Sequence, residues 1–254
     1  MLTRLAPTPS GYLHKGNAFS FLLTERYAQQ TGSKILLRID DMDTERKRPE
    51  YVQDIFDSLH WLGIEWHTGP KDAADFEDNW SQRHRLPLYN AAIKKLVAEN
   101  KVYACSCSRK QIREKRHCDC ESKKIPVNMP DTSLRMQVKR STGENDSFII
   151  RRRDGLPAYQ LFSLIDDLHF RVTAIIRGED LLDSTAMQHS LALQLGEDAF
   201  SGIKFIHHPL LTDENGHKLS KSESALSLKA MRENGMKANE LRSRFEEWCS
   251  DNHF

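Results

Sequence analysis

Four of the five cysteines fall in one short window, as Cys105-Ser-Cys107 and Cys118-Asp-Cys120, while Cys249 lies far away. Two Cys-x-Cys pairs ten residues apart can bring four thiolates around a tetrahedral Zn²⁺, each pair supplying two ligands from a tight bend. Such a site is structural, because four protein ligands leave no open position for a water nucleophile. The same spacing also suits two disulfides or a site without its ion, and His117 is available as a substitute ligand. In a reducing cytoplasm a metal is the better reading. Two further segments offer donors to an anion. In His14-Lys-Gly-Asn17 a histidine, an asparagine and a glycine sit where a loop turns into a helix, suiting phosphate oxygens at a helix N-terminus. Lys218-Leu-Ser-Lys-Ser222, in a polar stretch near the end, places Lys218 and Lys221 where they can neutralise charge developing on a triphosphate.

Charge is unevenly spread although Lys+Arg 37 nearly balances Asp+Glu 36. From Lys101 to Lys124 there are eight bases against Glu114, Asp119 and Glu121, and Arg135, Lys139, Arg140 and Arg151 to Arg153 follow. A solvated helix face explains many such runs; flanking a candidate metal site, they also suit a surface that meets a polyanion such as nucleic acid. A chain of 254 residues with 39% hydrophobic content has ample material for a core, which excludes disorder as the default. No run of about eighteen apolar residues occurs, and Arg4 and two prolines stand where a signal core would be, so a soluble cytoplasmic protein without membrane contact is expected.

The elements that must position these residues alternate. Leu2 to Ala6 reads as a buried strand, Pro7 to Gly11 as an irregular loop, Gly16 to about Gln30 as a helix stopped by Gly32, and Lys34 to Ile39 as a second strand buried on both faces. This β-loop-α-β unit predicts a parallel sheet with its ligand beyond the strands' carboxyl ends. Helices follow over 49–62 and 83–99. The cysteine segment then breaks the periodicity, and 134–138 and 148–152 alternate like a hairpin joined by a polar turn. Strand 172–177, helix 185–195 and strand 204–211 restore the first pattern. The sequence therefore predicts an α/β fold of nucleotide-binding type, split by an inserted α+β subdomain and ending in a short helical segment. The expected bounds are 1–100 and 159–222 for the two halves of the parallel domain, 101–158 for the insertion and 223–254 for the C-terminal helices. Neither a P-loop nor a GxGxxG fingerprint is present.

On these motifs the chain resembles the catalytic core of class I aminoacyl-tRNA synthetases, in the glutamyl-tRNA synthetase branch, with its split Rossmann-like fold. His14-Lys-Gly-Asn17 resembles the HIGH motif and Lys218–Ser222 the KMSKS motif. Arg4-Leu-Ala-Pro-Thr-Pro-Ser-Gly11, Arg38-Ile-Asp-Asp-Met-Asp43, Tyr159 with Ile165-Asp-Asp167, and Ile176-Arg-Gly-Glu-Asp180 extend the likeness over most of residues 2–222. It implies that Arg4 and Arg177 hold the two carboxylates of glutamate, that Tyr159 lines the pocket, that Thr8 and Asp40 fix the α-amino group, and that His14, Gly16, Asn17, Lys218 and Lys221 act on ATP and its Mg²⁺. Asp40 departs from the branch, which mostly has Glu there; the alternative for Asp40 is an acidic helix-capping residue. The implied reaction is attack of the glutamate carboxylate on ATP to give glutamyl-adenylate, followed by transfer to an RNA hydroxyl, with the cysteine insertion as a zinc-binding guide for the RNA.

Full-length members of the branch continue into a helical anticodon-binding region, and none is expected after the short helical segment 223–254 here. In this the chain is similar to the truncated paralogues that attach glutamate to queuosine in the anticodon loop of tRNA(Asp), and ATP, L-glutamate and tRNA(Asp) are the expected partners of a monomer. Two features point the other way: the doubled Cys-x-Cys, where the paralogues have one such pair followed by Tyr and a further Cys, and the regular KLSKS. The alternatives are a short glutamyl-tRNA synthetase that charges the tRNA 3′ end and a non-catalytic RNA-binding paralogue.

Overall fold

The computed structural model describes residues 1–108, 110–112, 118–139, 145–210 and 227–254, which divide into two compact units. The first comprises Met1–His84, Arg171–Leu182 and Ile203–Phe254, the second Arg85–Phe170 and Asp183–Gly202. The chain passes from one unit to the other after His84, Phe170, Leu182 and Gly202.

In the first unit, β1 (Leu2–Leu5) pairs in parallel with β2 (Lys34–Leu37) across α1 (Lys15–Thr31). Three of the four residues in each strand are buried, as a parallel strand covered on both faces requires. Helix α1 buries Ala18, Phe19, Leu22 and Leu23 and ends at Gly32, whose φ of 63° is the left-handed closure that glycine adopts without a Cβ penalty. Helix α2 (Pro49–Leu62) begins with proline at its first turn, where a missing N–H costs nothing. A short α3 (Ala73–Asp75), a π-helical turn Phe76–Trp80 and a 3₁₀ turn Gln82–Arg85 lead out of the unit.

The chain returns as β6 (Ala174–Gly178) and β7 (Lys204–His208), again parallel. This pair adjoins the first: the Thr173 N–H donates to the Leu2 carbonyl at 2.8 Å, and the Lys204 N–H to the Thr173 carbonyl at 3.0 Å. Helices α7 (Leu228–Glu233) and α8 (Ala238–Asp251) complete the unit. Leu241, Phe245 and Cys249 of α8 join the same core as Phe19 of α1, with the Phe19 and Phe245 rings edge to face at 5.5 Å. Each such side chain removed from water contributes roughly 1.5–3 kcal/mol, so the C-terminal helices are part of this core.

The second unit holds α4 (Leu86–Ala98), the antiparallel strands β3 (Tyr103–Cys105), β4 (Ser133–Lys139) and β5 (Asn145–Arg151), α5 (Tyr159–His169) and most of α6 (Leu182–Leu195). The β4–β5 hairpin forms where alternation places it, with a register shift between Leu134 and Arg135. Helix α5 has no counterpart among the predicted elements. Its interior is tied to α4 by charge: Arg85 grips Asp166 bidentately at 2.7 and 2.9 Å, Tyr89 donates to the same carboxylate at 2.6 Å, and all three are buried. No helix among the described residues is long and apolar enough to cross a membrane.

Candidate functional site

His14 is the N-cap of α1, in extended conformation. Its Nδ1 accepts the Gly16 N–H at 3.1 Å, while its own N–H donates to Asn17 Oδ1 at 3.0 Å. This reciprocal cap decides two orientations at once. An accepting Nδ1 places the ring proton of the neutral imidazole on Nε2, and an accepting Oδ1 leaves Nδ2 as the donating end of Asn17. Both side chains are therefore set up to donate at a helix N-terminus, which also favours negative charge. Gly16 has a specific reason: a Cβ there would lie 2.9 Å from Cε1 of the His14 ring, so glycine seats the histidine as well as opening the backbone. Lys15 lies outside this set. Its ammonium sits 5.1 Å over the Phe19 ring, and burial, then Arg244, lower its pKa.

Arg4 and Arg177 lie on the adjoining strands β1 and β6 and are 5% and 3% exposed. The Arg177 guanidinium stacks 4.8 Å over Phe205, and neighbouring His207 has its pKa lowered by burial and then by Arg177. Past β1 and β2 the chain keeps its pairing: the Arg38 N–H donates to the Leu5 carbonyl and the Asp40 N–H to the Pro7 carbonyl, both at 2.9 Å. Asp40 is thereby fixed beside the segment that carries half-buried Thr8. Asp40 caps no helix. Its carboxylate is held by Arg38 through Nε at 2.7 Å and Nη2 at 3.1 Å, in a pair that is almost fully buried. Asp41 turns the other way, accepting from Ser81 Oγ (2.7 Å), the Gln82 N–H (2.8 Å) and Lys47 Nζ (2.9 Å).

Lys218 and Lys221 lie outside the described residues, as does His117. The residues on either side of that C-terminal stretch are placed. Leu210 N–H donates to Glu179 Oε1 at 3.3 Å, just beyond β6. Ser227 forms an antiparallel bridge with His14, and the Leu228 N–H donates to the Leu13 carbonyl at 2.7 Å. Ser227 and Leu228, the first described residues after that stretch, therefore lie directly alongside the first motif. Tyr159 belongs to the second unit, where it is half-buried at the start of α5 with its ring edge-on to Phe162 at 5.6 Å.

The four clustered cysteines do meet: their sulfurs all lie within 4.8 Å of one another, with 105–118 and 107–120 at 3.4 Å and 107–118 at 3.8 Å. A tetrahedral ion with Zn–S bonds near 2.3 Å requires sulfurs about 3.8 Å apart, so the set can hold a metal. Burial, reinforced by neighbouring sulfurs, raises the Cys105 thiol to about 12 and the Cys107 thiol to about 11. Burial also opposes the Cys120 thiolate, but the Ser106 N–H and hydrogen bonds from the other thiols outweigh it and bring that group down to about 7. Cys249 is buried in the α8 core and takes no part.

Among the described residues, several arginines of the basic run beside the cluster are engaged within the unit. Arg135 bonds Ser147, Arg151 Nη2 donates to the Val127 carbonyl at 3.1 Å, and Arg153 Nη2 donates to the Ser106 carbonyl at 2.5 Å. Lys101, Lys123 and Lys124 remain exposed.

A split parallel α/β unit with donors at its first helix N-terminus has the architecture of a nucleotide-binding class of protein. The family profile for the class I tRNA synthetases (E and Q), catalytic domain, matches residues 1–133 and 121–245, and the chain belongs to that family. It is 33% identical to a glutamyl-Q tRNA(Asp) synthetase of Nitratidesulfovibrio vulgaris over 92% of this chain and 82% of that protein, and 36% identical to one of Synechococcus sp. over 92% and 78%. A glutamate–tRNA ligase of Sulfurihydrogenibium sp. is 32% identical, but this chain covers 55% of its length. Among solved structures, a glutamate tRNA ligase from Elizabethkingia meningosepticum in complex with its amino acid superposes with a TM-score of 0.68 at 20% identity; the match covers 92% of this chain and 53% of that one, which supports the fold.

Proposed function

We propose that the protein activates L-glutamate with ATP and transfers it to queuosine in tRNA(Asp). No nucleophilic side chain is needed, because the substrate carboxylate is itself the nucleophile. The protein's task is to align that carboxylate with the α-phosphorus and to meet the charge that develops on the phosphates. His14 Nε2–H and Asn17 Nδ2 donate at the phosphates, Lys218 and Lys221 neutralise the departing pyrophosphate, and Mg²⁺ arrives with ATP. Two carboxylates call for two cations, and Arg4 and Arg177 supply planar forks that bind a carboxylate bidentately. An arginine opposite the side chain also penalises neutral glutamine, which would leave a buried charge unmatched. Asp40, oriented by Arg38, receives the ammonium beside Thr8.

The observation that carries this reading is the run of Ser227 and Leu228 beside Leu13 and His14, which supports a shared nucleotide for the two motifs. The cysteine set would hold Zn²⁺, which lends the inserted strands a rigid cross-link when bound. Preference for queuosine over a tRNA 3′ end rests on the two glutamyl-Q relatives, most of whose length this chain covers. The test is glutamylation of tRNA(Asp) prepared with and without queuosine, each with and without its 3′-terminal adenosine. The reading predicts that queuosine is required and the terminal adenosine dispensable; the reverse pattern would establish the 3′-charging alternative.

A further inference from the structure

The residues that follow β2 are gripped by a part of the chain 40 residues further on. Ser81 and Gln82, where the π-helical turn passes into the 3₁₀ turn, are 1% and 0% exposed. Together they meet three successive residues. The Asp41 carboxylate accepts from Ser81 Oγ and from the Gln82 N–H, the Met42 N–H donates to Gln82 Oε1 at 2.9 Å, and Gln82 Nε2 reaches Asp40 Oδ1 at 3.5 Å. Arg38 Nε donates to that same oxygen at 2.7 Å. The sense of the Gln82 amide follows from its partners: a backbone N–H can only donate, so Oε1 faces Met42 and the NH₂ end faces Asp40.

We infer that Gln82 is a positioning residue for the amino acid: its amide sets the Asp40 carboxylate for the α-ammonium of glutamate. This role rests on the reading that Asp40 receives that ammonium. A buried carboxylate holds its charge when hydrogen bonds go to its ionised form. Gln82 adds a neutral donor to the cationic one of Arg38, whereas a second cation at 82 would give the carboxylate two positive partners and repel an ammonium. If Gln82 served only to close the turn, its backbone N–H on Asp41 would suffice, and an apolar side chain of similar length would fill the buried space with no polar group to satisfy. The side chain is instead polar at both ends, and both ends engage the segment that carries Asp40. On the other side, the Arg38 and Asp40 N–H groups bond the carbonyls of Leu5 and Pro7, so the carboxylate is fixed through its backbone by one segment and through its oxygen by the other.

The test is steady-state ATP–pyrophosphate exchange for Gln82→Glu, Gln82→Met and Asp40→Asn, read as KM for glutamate, KM for ATP and the inhibition constant of glutarate, which has both carboxylates of glutamate but no ammonium. Gln82→Glu keeps an acceptor for the Met42 N–H but turns a carboxylate oxygen toward Asp40; Gln82→Met removes the donor without adding charge. The expected result is a rise in KM for glutamate of about tenfold for Gln82→Glu and about threefold for Gln82→Met, with KM for ATP and inhibition by glutarate within about twofold of wild type. The double variant Asp40→Asn with Gln82→Glu, which removes the opposition of like charges, should be no worse than Asp40→Asn alone. A merely structural role predicts a lowered melting temperature with glutamate and glutarate weakened together or neither weakened, and either pattern in folded protein would overturn the inference. Asp40→Asn separates the role of Gln82 from the reading beneath it. If that variant leaves KM for glutamate unchanged, or the wild-type protein shows no exchange, the reading of the site fails and the role of Gln82 falls with it. If it raises KM for glutamate while both Gln82 variants behave as wild type, the assignment to Gln82 alone is wrong.

Discussion

The two units use buried charge differently. In the parallel unit, Arg38–Asp40, Asp41–Lys47 and Asp54–Arg232 lie within or lead directly into the segments that carry the candidate site. In the antiparallel unit, Arg85–Asp166 joins two helices, Arg135, Arg151 and Arg153 bond backbone or hydroxyl oxygens, and four thiols gather at a bend. The first arrangement fixes the segments that carry the proposed site; the second substitutes polar cross-links for a larger core. A basic, cysteine-rich stretch therefore need not leave all its charge open to a polyanion: among the described residues, Arg135, Arg151 and Arg153 are engaged within the unit.

Removing metal gives the sharpest break between the units. One zinc per chain is expected by elemental analysis, and its binding free energy in small sites is about 10–16 kcal/mol. Stripping it with a chelator should expose the 101–151 region to protease and abolish transfer to RNA while glutamate-dependent exchange stays within a few-fold. Loss of exchange in step with zinc would merge the two regions into one cooperative whole. Next in size, Arg85→Met strands the buried Asp166 carboxylate and is predicted to lower stability by about 3–5 kcal/mol, read by denaturant unfolding; a loss under 1 kcal/mol would mean that Asp166 finds another partner.

A smaller effect is expected at the first motif. Gly16→Ala places a methyl 2.9 Å from the His14 ring and should turn the ring out of its cap, slowing exchange by tenfold or more with little change in melting temperature. Normal exchange would show that His14 Nε2 needs no such seat. Smallest is a pH effect at His208, whose ring meets Trp248 edge-on at 5.9 Å and whose pKa is lowered from 6.5, first by burial. Because the folded chain holds this proton less tightly than the unfolded one, the contribution is complete above pH 6.5 and is lost as pH falls toward the lowered folded value. Unfolding of His208→Phe should accordingly show a shallower decline on the acid side than wild type; identical slopes would assign that decline to other groups.

Much of the parallel unit was legible in the sequence because its signals are local. Pro49 and Gly63 bracket α2, Gly32 ends α1, and the apolar runs of β1 and β2 need no partner to be recognised. The Arg38–Asp40 pair was legible in principle, since residues two apart on extended chain point to one side. Asp54, Gln82 and Arg232 were not, because their roles depend on contacts between residues far apart in sequence, such as the 178 separating Asp54 from Arg232. Helix α5 was missed for a related reason: its interior carries Asp166 and Asp167, whose polarity hides an apolar face that Leu161, Phe162 and Leu164 supply. The cysteine spacing predicted the convergence of four sulfurs, because Cys-x-Cys places two ligands on one bend whatever the surrounding fold.

The central claim is that donors from two motifs, with buried arginines beside them, make one site for ATP and glutamate. It is tested most directly by pyrophosphate exchange with the purified chain, without RNA, using glutamate, glutamine and aspartate in turn. The account predicts exchange with glutamate alone, abolished in Arg177→Ala and restored in part by lysine at that position. Exchange with glutamine at a comparable rate, or none with any of the three whether or not tRNA is added, would contradict it.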